Sequence, residues 1–214
     1  GWMTGDEYLS GNVREKLEIA KLCAEKHPEY TVNVTALEQV QPKTLDASEI
    51  EVRLGATWVD TGYINDFMYE IFKTPKNKID RDLIGVQYSK TSGQWNIKGK
   101  GVDFGNPVIE TTYGTRRSNA YKILEDSLNL RDSRIYDTII EEGKEKRVLN
   151  KKETMLASQK QEAIREAFKD WVFRDINRRE VLCKKYNEIY NSSRPREFDG
   201  SHLYFTIGTT RSQI

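Results

Sequence analysis

Leu9, Val13, Leu17, Ala20 and Ala24 stand three or four positions apart, with polar residues in most places between them. That period predicts a helix over residues 7–26, because such positions share one helical face. Ser10 or Asn12 is placed to cap its main body, with Glu15 where a capping-box acid would sit. His27-Pro28 ends it, since a residue before proline is pushed out of the helical region. Shorter helices are predicted over 32–40, 45–54 and 63–72, the last with Ile64, Phe67, Met68, Ile71 and Phe72 on one side.

The pattern then changes. Residues 83–88 and 94–98 are two short runs around a stretch ending in Ser92-Gly93, and they predict a β-hairpin. Gly99, Gly101, Gly105 and Pro107 make the next dozen residues a loop. A helix follows over 118–128, with Ser118 as its cap and Ala120, Ile123, Leu124 and Leu128 facing inward. Residues 135–140 and 146–149, on either side of a Glu-Glu-Gly-Lys turn, predict a second hairpin.

Residues 152–191 contain neither Pro nor Gly and form the strongest helical signal. One apolar stripe runs through Ile164, Ala167, Phe168, Trp171 and Val172; another through Val181, Leu182, Tyr186, Ile189 and Tyr190. Asp175-Ile176-Asn177 is a place to bend or break it, Asp and Asn being poor helix-interior residues. The expected fold class is α+β and mainly helical. It comprises a helical cluster over 1–80, an α+β hairpin region over 81–150, a long helix over 151–191 packing on both, and an extended connector over 192–214. No internal repeat of fixed period is visible.

Composition alters this picture little. Charged residues make up 31% of the 214 and aromatic residues 10%, which suits long, partly exposed helices and argues against disorder. The formal net charge is +1, so no global field draws the chain to nucleic acid. The charge is uneven, with residues 1–80 acidic and the remainder basic, which suggests two faces with different partners or uneven surface decoration. Two cysteines, Cys23 and Cys183, without a secretory signal point to the reducing cytoplasm, and no apolar run is long enough to cross a bilayer. The opening Gly-Trp-Met suggests a processed or excised fragment.

The chemistry-bearing patterns are weak. Five residues separate Gly93 from Gly99-Lys100, one too many for a phosphate loop, and Gly101 stands where a Ser or Thr should hold the metal. Counted from Gly99 and Gly101, a dinucleotide fingerprint would need its third glycine at Phe104. His27 and His202 have no convincing ligand partners, and Asp199 with His202 reads more readily as a capped turn than as a metal site. Catalytic and metal-ligating residues are accordingly expected to be absent.

Two basic clusters carry what remains. Lys98, Lys100, Arg116 and Arg117 lie near Trp95 and Tyr113, a mixture that suits phosphate contact with stacking. The alternative is that Trp95 and Tyr113 belong to the core while the charges solvate loops. Arg178, Arg179, Lys184 and Lys185 follow along the helix, then Arg194 and Arg196, as a second duplex-contact candidate or as ordinary surface charge.

An ordered set of stretches resembles a known family. It opens with Asp6-Glu-Tyr-Leu-Ser-Gly-Asn-Val-Arg-Glu-Lys-Leu17 and continues with Leu54-Gly-Ala-Thr-Trp58 and Thr112-Tyr-Gly-Thr-Arg116. Asn150, Glu153-Thr154, Lys160-Gln161, Phe168-Lys-Asp-Trp171 and Tyr186-Asn187 follow, and Arg194-Pro-Arg-Glu-Phe-Asp-Gly-Ser-His-Leu203 closes it. Together they resemble the middle region of large bacterial, phage and conjugative-element proteins. Those proteins join an adenine-specific DNA methyltransferase part to a Snf-type superfamily 2 helicase part. The resemblance implies a non-catalytic connector between flanking methylase and helicase domains, contacting double-stranded DNA. ATP and S-adenosylmethionine would belong to those neighbours, with no cofactor in the segment itself. The family's methylase motif, phosphate loop and acidic helicase box are absent from this stretch. After Leu203 the chain also departs from the family's usual run toward the helicase, which suggests a truncated or divergent end. The other functional expectation is a protein-interaction scaffold that docks the flanking domains without touching DNA.

Overall fold

The computed structural model describes residues 3–141 and 144–196. In chain order the elements are α1 (Gly5–Tyr8), β1 (Gly11–Asn12), α2 (Val13–Lys26), a 3₁₀ turn (Pro28–Tyr30), α3 (Thr31–Gln39), α4 (Thr61–Phe72) and α5 (Lys76–Asp80). Then come β2 (Gly85–Ser89), β3 (Gln94–Lys98), a single π turn (Val108–Thr112), α6 (Ala120–Leu128), β4 (Tyr136–Glu141) and β5 (Lys144–Leu149). The chain continues with α7 (Lys151–Val172), α8 (Ile176–Tyr190) and β6 (Ser193–Arg194). The fold is α+β and mainly helical, with antiparallel two-stranded sheets β1–β6, β2–β3 and β4–β5. It divides into two units: Gly1–Leu45 with Lys185–Ile214, and Asp46–Lys184.

In the smaller unit, α2 and α3 pack through Val13, Leu17, Ala20 and Leu37. The single helix expected over 7–26 is two helices. Gly11 turns the backbone to a φ of +71°, a left-handed conformation that glycine adopts freely, and α2 starts afresh after it. Asn12 is the cap: its Oδ1 accepts from Glu15 N–H at 3.2 Å and its Nδ2 donates to Glu15 Oε2 at 3.0 Å. The Lys16 ammonium donates to the carbonyls of Glu7, Tyr8 and Ser10, which closes the end of α1. Residues from opposite ends of the chain meet here. Arg14 Nε donates to the Asn191 carbonyl at 2.8 Å, and buried Asn187 exchanges hydrogen bonds with both backbone groups of Leu45.

The larger unit is built around β2–β3, whose register sets Val86 against Ile97 and Tyr88 against Trp95 on its buried face. Each outer edge is bonded by polar side chains one helical turn apart. From α4, Asn65 Oδ1 accepts from Val86 N–H at 2.7 Å and the Tyr69 hydroxyl donates to the Ile84 carbonyl at 2.7 Å. From α6, Asn129, just past its last turn, bonds both backbone groups of Trp95, and Glu125 accepts from Ile97 N–H at 2.7 Å. Behind this layer α7 places Phe168 and Trp171 edge-on to Phe67 of α4.

Buried Asp103 fixes the loop after β3. Its carboxylate accepts from the Lys78 ammonium at 2.6 Å, from Asn106 Nδ2 at 2.8 Å and from the Tyr121 hydroxyl at 3.0 Å, while Tyr121 also meets Thr74 Oγ1 at 2.8 Å. Burial pushes the Tyr121 hydroxyl well above its ordinary range, so it stays a donor to Asp103.

Two further expectations are corrected. Residues 45–54 are not a helix: Ile50, Val52 and Leu54 are buried while Glu51 and Arg53 between them are exposed, a period of two. Asp46 accepts from Ser48 N–H and Oγ over a single turn, from which no helix continues. Asn119, not Ser118, caps α6, accepting from Lys122 N–H at 3.0 Å. The long C-terminal helix breaks at residues 173–175, at the expected Asp175, whose Oδ1 accepts from Arg178 N–H at 2.8 Å and starts α8.

Asp103→Ala is expected to destabilise the fold by about 3 kcal/mol, because it strands a largely buried ammonium. Urea denaturation checks this, and a loss below about 1 kcal/mol would show the network to be dispensable. Asp126 supplies a pH test. Burial raises its carboxyl pKa, against the opposing hydrogen bond from Ser133, so its ionised form is disfavoured in the folded state. A raised carboxyl pKa favours folding below the unfolded value, and that advantage fades as pH rises through the folded value. Asp126→Asn should therefore gain in Tm relative to the parent between pH 4 and pH 7; a constant difference would refute the assignment.

Candidate functional site

The cations of the first cluster come from the end of β3 and from the loop between the π turn and α6. Lys98 pairs with Asp82 and Lys100 with Glu125, the carboxylate that also holds β3. Arg117 spans Asp137 Oδ1 at 2.7 Å and the Tyr136 carbonyl at 3.0 Å. With Asn150, it holds the Asp137 carboxyl below its usual range. Arg116 is exposed and makes no ion pair among the described residues.

The aromatic members do not present rings for stacking. Trp95 is 4% exposed and lies 4.7 Å from Tyr88, centroid to centroid, on the buried face of the hairpin. Tyr113 is half-buried against Phe72 at 5.8 Å. Trp95 is a core residue, and Tyr113 packs with part of its surface exposed. A stacked base at Trp95 would require the hairpin to come away from α6.

In the second cluster, Arg178 closes α7. Its guanidinium lies 3.4 Å from the centre of the Trp171 ring and donates to the carbonyls of Val172, at 2.9 Å, and Trp171. Burial lowers its pKa from the ordinary value. The Trp171 indole N–H in turn donates to Glu70 at 2.6 Å, and Arg174 pairs with the other oxygen of that carboxylate. Arg179 and Lys184 are exposed on α8, Lys185 is half-buried, Arg194 is half-buried in β6, and Arg196 is exposed beyond it. Asp199 and His202 lie outside the described residues.

One cleft was not anticipated from sequence. Arg53, Arg165 and Lys169 line it with Glu51, Val52, Leu54, Ser127 and Leu130, enclosing about 380 Å³. The cations come from two segments more than a hundred residues apart, so no local spacing marks them. Each already pairs with a carboxylate on its own segment: Arg53 with Glu51, Arg165 with Glu162 and Lys169 with Glu166.

The family profile described as Domain of unknown function (DUF8437) matches residues 53–192, well over half of the chain. The chain belongs to this family. The DUF8437 region takes in nearly all of the larger unit and continues to the end of α8, so it holds both cation clusters except Arg194 and Arg196. No curated protein and no solved structure matches the chain. Among the described residues, no group of His, Cys, Asp and Glu is arranged to hold a metal ion, and no helix is long and apolar enough to cross a membrane.

The two exposures predict a contrast. Arg178→Ala should cost about 1–2 kcal/mol in chemical denaturation by removing a helix-end donor and a ring contact, whereas Arg116→Ala should leave the midpoint unchanged. Equal effects would remove the distinction between a structural and a surface arginine.

Proposed function

We propose that the chain is a non-catalytic connector module of a large DNA helicase–methylase, acting in the cytoplasm as a scaffold that docks the flanking domains. ATP and S-adenosylmethionine would be bound by those neighbours.

The observation that carries this reading is the work done by the residues on which the resemblance rests. Leu54, Phe168 and Trp171 fill the core of the larger unit. A side chain at Gly114 would meet the Ile109 carbonyl at 1.9 Å, so that stretch serves a close backbone approach. Asn150 caps α7 by accepting from Glu153 N–H at 3.0 Å, Lys160 donates to the carbonyls of Thr111 and Thr112, and buried Gln161 bonds Ser133 and Arg131. Asn187 holds Leu45. Motifs that specify a shape fit a module whose task is to present surfaces.

Electrostatics favours docking over a grip on DNA. Affinity for duplex grows with the number of phosphates neutralised by available cations, and Lys98, Lys100 and Arg117 already pair with carboxylates of the chain itself. DNA contact is the second reading, favoured by the exposed Arg116.

Fluorescence anisotropy with a generic duplex at about 50 and about 200 mM salt separates the two, since phosphate contacts weaken steeply over that range. The scaffold reading predicts a Kd weaker than about 100 µM even at the lower salt, at the weak end of non-specific binding. Micromolar binding that collapses with salt and is lost in a folded Lys98/Lys100/Arg116/Arg117→Ala variant would replace it with the DNA-contact reading.

A further inference from the structure

Beyond its base, and among the described residues, the β4–β5 ribbon has none of the side-chain partners that close β2–β3. Asp137 is half-buried and every other described residue in its strands is exposed, Ile140 reaching 79%. Its register sets Tyr136 against Leu149 and Ile140 against Glu145 on one face, Asp137 against Val148 and Ile139 against Lys146 on the other. Large apolar side chains therefore stand on both faces. The ribbon is tethered at its base, where Arg117 and Asn150 hold Asp137. Among the described residues, no group outside the ribbon hydrogen-bonds or ion-pairs with residues 138–141 or 144–149. Apart from the Tyr136 carbonyl, which Arg117 takes, such a ribbon presents unpaired backbone donors and acceptors along its two edges, each about 20 Å long.

Charge decides between occupants. β4 carries Asp137 and Glu141 and no cation, whereas β5 carries Lys144, Lys146 and Arg147 against Glu145. Lys146 is matched to Glu141, while Lys144 and Arg147 make no ion pair among the described residues. Two copies joined edge to edge about a twofold axis, β5 on β5 or β4 on β4, would set like charges together. An acidic strand on β5 meets the unmatched cations instead.

We infer that β5 is a strand-addition site for an extended segment of another polypeptide in which apolar and acidic residues alternate. Backbone hydrogen bonds to the β5 edge supply the attachment, and Lys144 on one face of the ribbon or Arg147 on the other, according to register, selects for carboxylates. The ribbon is then the arm by which the module captures a neighbour. This inference deepens the docking reading and rests on it.

The test uses the full chain and a fluorescein-labelled synthetic peptide of alternating valine and glutamate, with a valine–lysine twin. The glutamate peptide is expected to bind at least about tenfold tighter than the twin. It should lose about tenfold in a Lys144→Glu/Arg147→Glu variant, like charges being unfavourable across an interface. Amide exchange within residues 144–149 should slow on binding. The ribbon buries nothing in the core, so thermal melting should find the variant folded. No binding, equal affinity for the twin, or protection elsewhere in the chain would overturn the inference. Self-association lost in the variant would assign the ribbon to a second copy, and duplex binding lost in it would assign the ribbon to DNA. Duplex binding that survives the variant would count against the scaffold reading alone, so the two failures are distinguishable.

Discussion

A two-stranded ladder leaves two rows of backbone donors and acceptors without partners and is marginal in water by itself. The larger unit resolves this for β2–β3 with helices instead of further strands. Asn65 and Tyr69 reach one edge, Glu125 and Asn129 the other, each pair one helical turn apart. This fixes the orientation of α4 and α6, and with it the faces that receive Phe168 and Trp171 of α7. A hydrogen bond contributes only about 1 kcal/mol net, but these also decide which way each helix must turn its apolar stripe.

The same economy of partners governs the charges. A cation that bonds a carbonyl or a buried carboxylate serves the fold and is a poor phosphate ligand. Lys78, Lys160 and Arg178 are of this kind, and among the other cations that sequence alone marked for DNA, Lys98, Lys100 and Arg117 are paired with carboxylates. Net charge near neutrality is the bulk expression of that matching. What the surface retains is more specific than a basic field: one bare ribbon with an acidic strand, a basic strand and apolar residues between the charges.

Much of this architecture is legible in the residue order. The stripe at Ile64, Phe67, Met68 and Phe72, the Ser92-Gly93 turn and the Pro- and Gly-free stretch after 152 each point to the element that forms. Legibility fails where two periods compete. Residues 45–54 contain enough apolar positions to suggest a helix, yet Ile50, Val52 and Leu54 are buried while Glu51 and Arg53 between them are exposed, a period of two. Site prediction fails for a different reason. Proximity in sequence placed Trp95 beside Lys98 and Lys100, but strand alternation sends Trp95 inward, and the carboxylates that meet the lysines come from Asp82 and from Glu125 on another element. The Arg53, Arg165 and Lys169 cleft is invisible to local reading because its members meet only after folding.

The smaller unit joins the first 45 residues to those from 185 onward, through Arg14 with Asn191 and Leu45 with Asn187. During synthesis, the opening helices emerge well before the residues that complete their unit. The residues of the larger unit all lie between these halves, so it can fold as an insertion while α2 and α3 wait, and contacts closed over so long a loop form slowly. The order of translation thus differs from the order of completion: every residue of the larger unit is made before β6, the last described element of the smaller one.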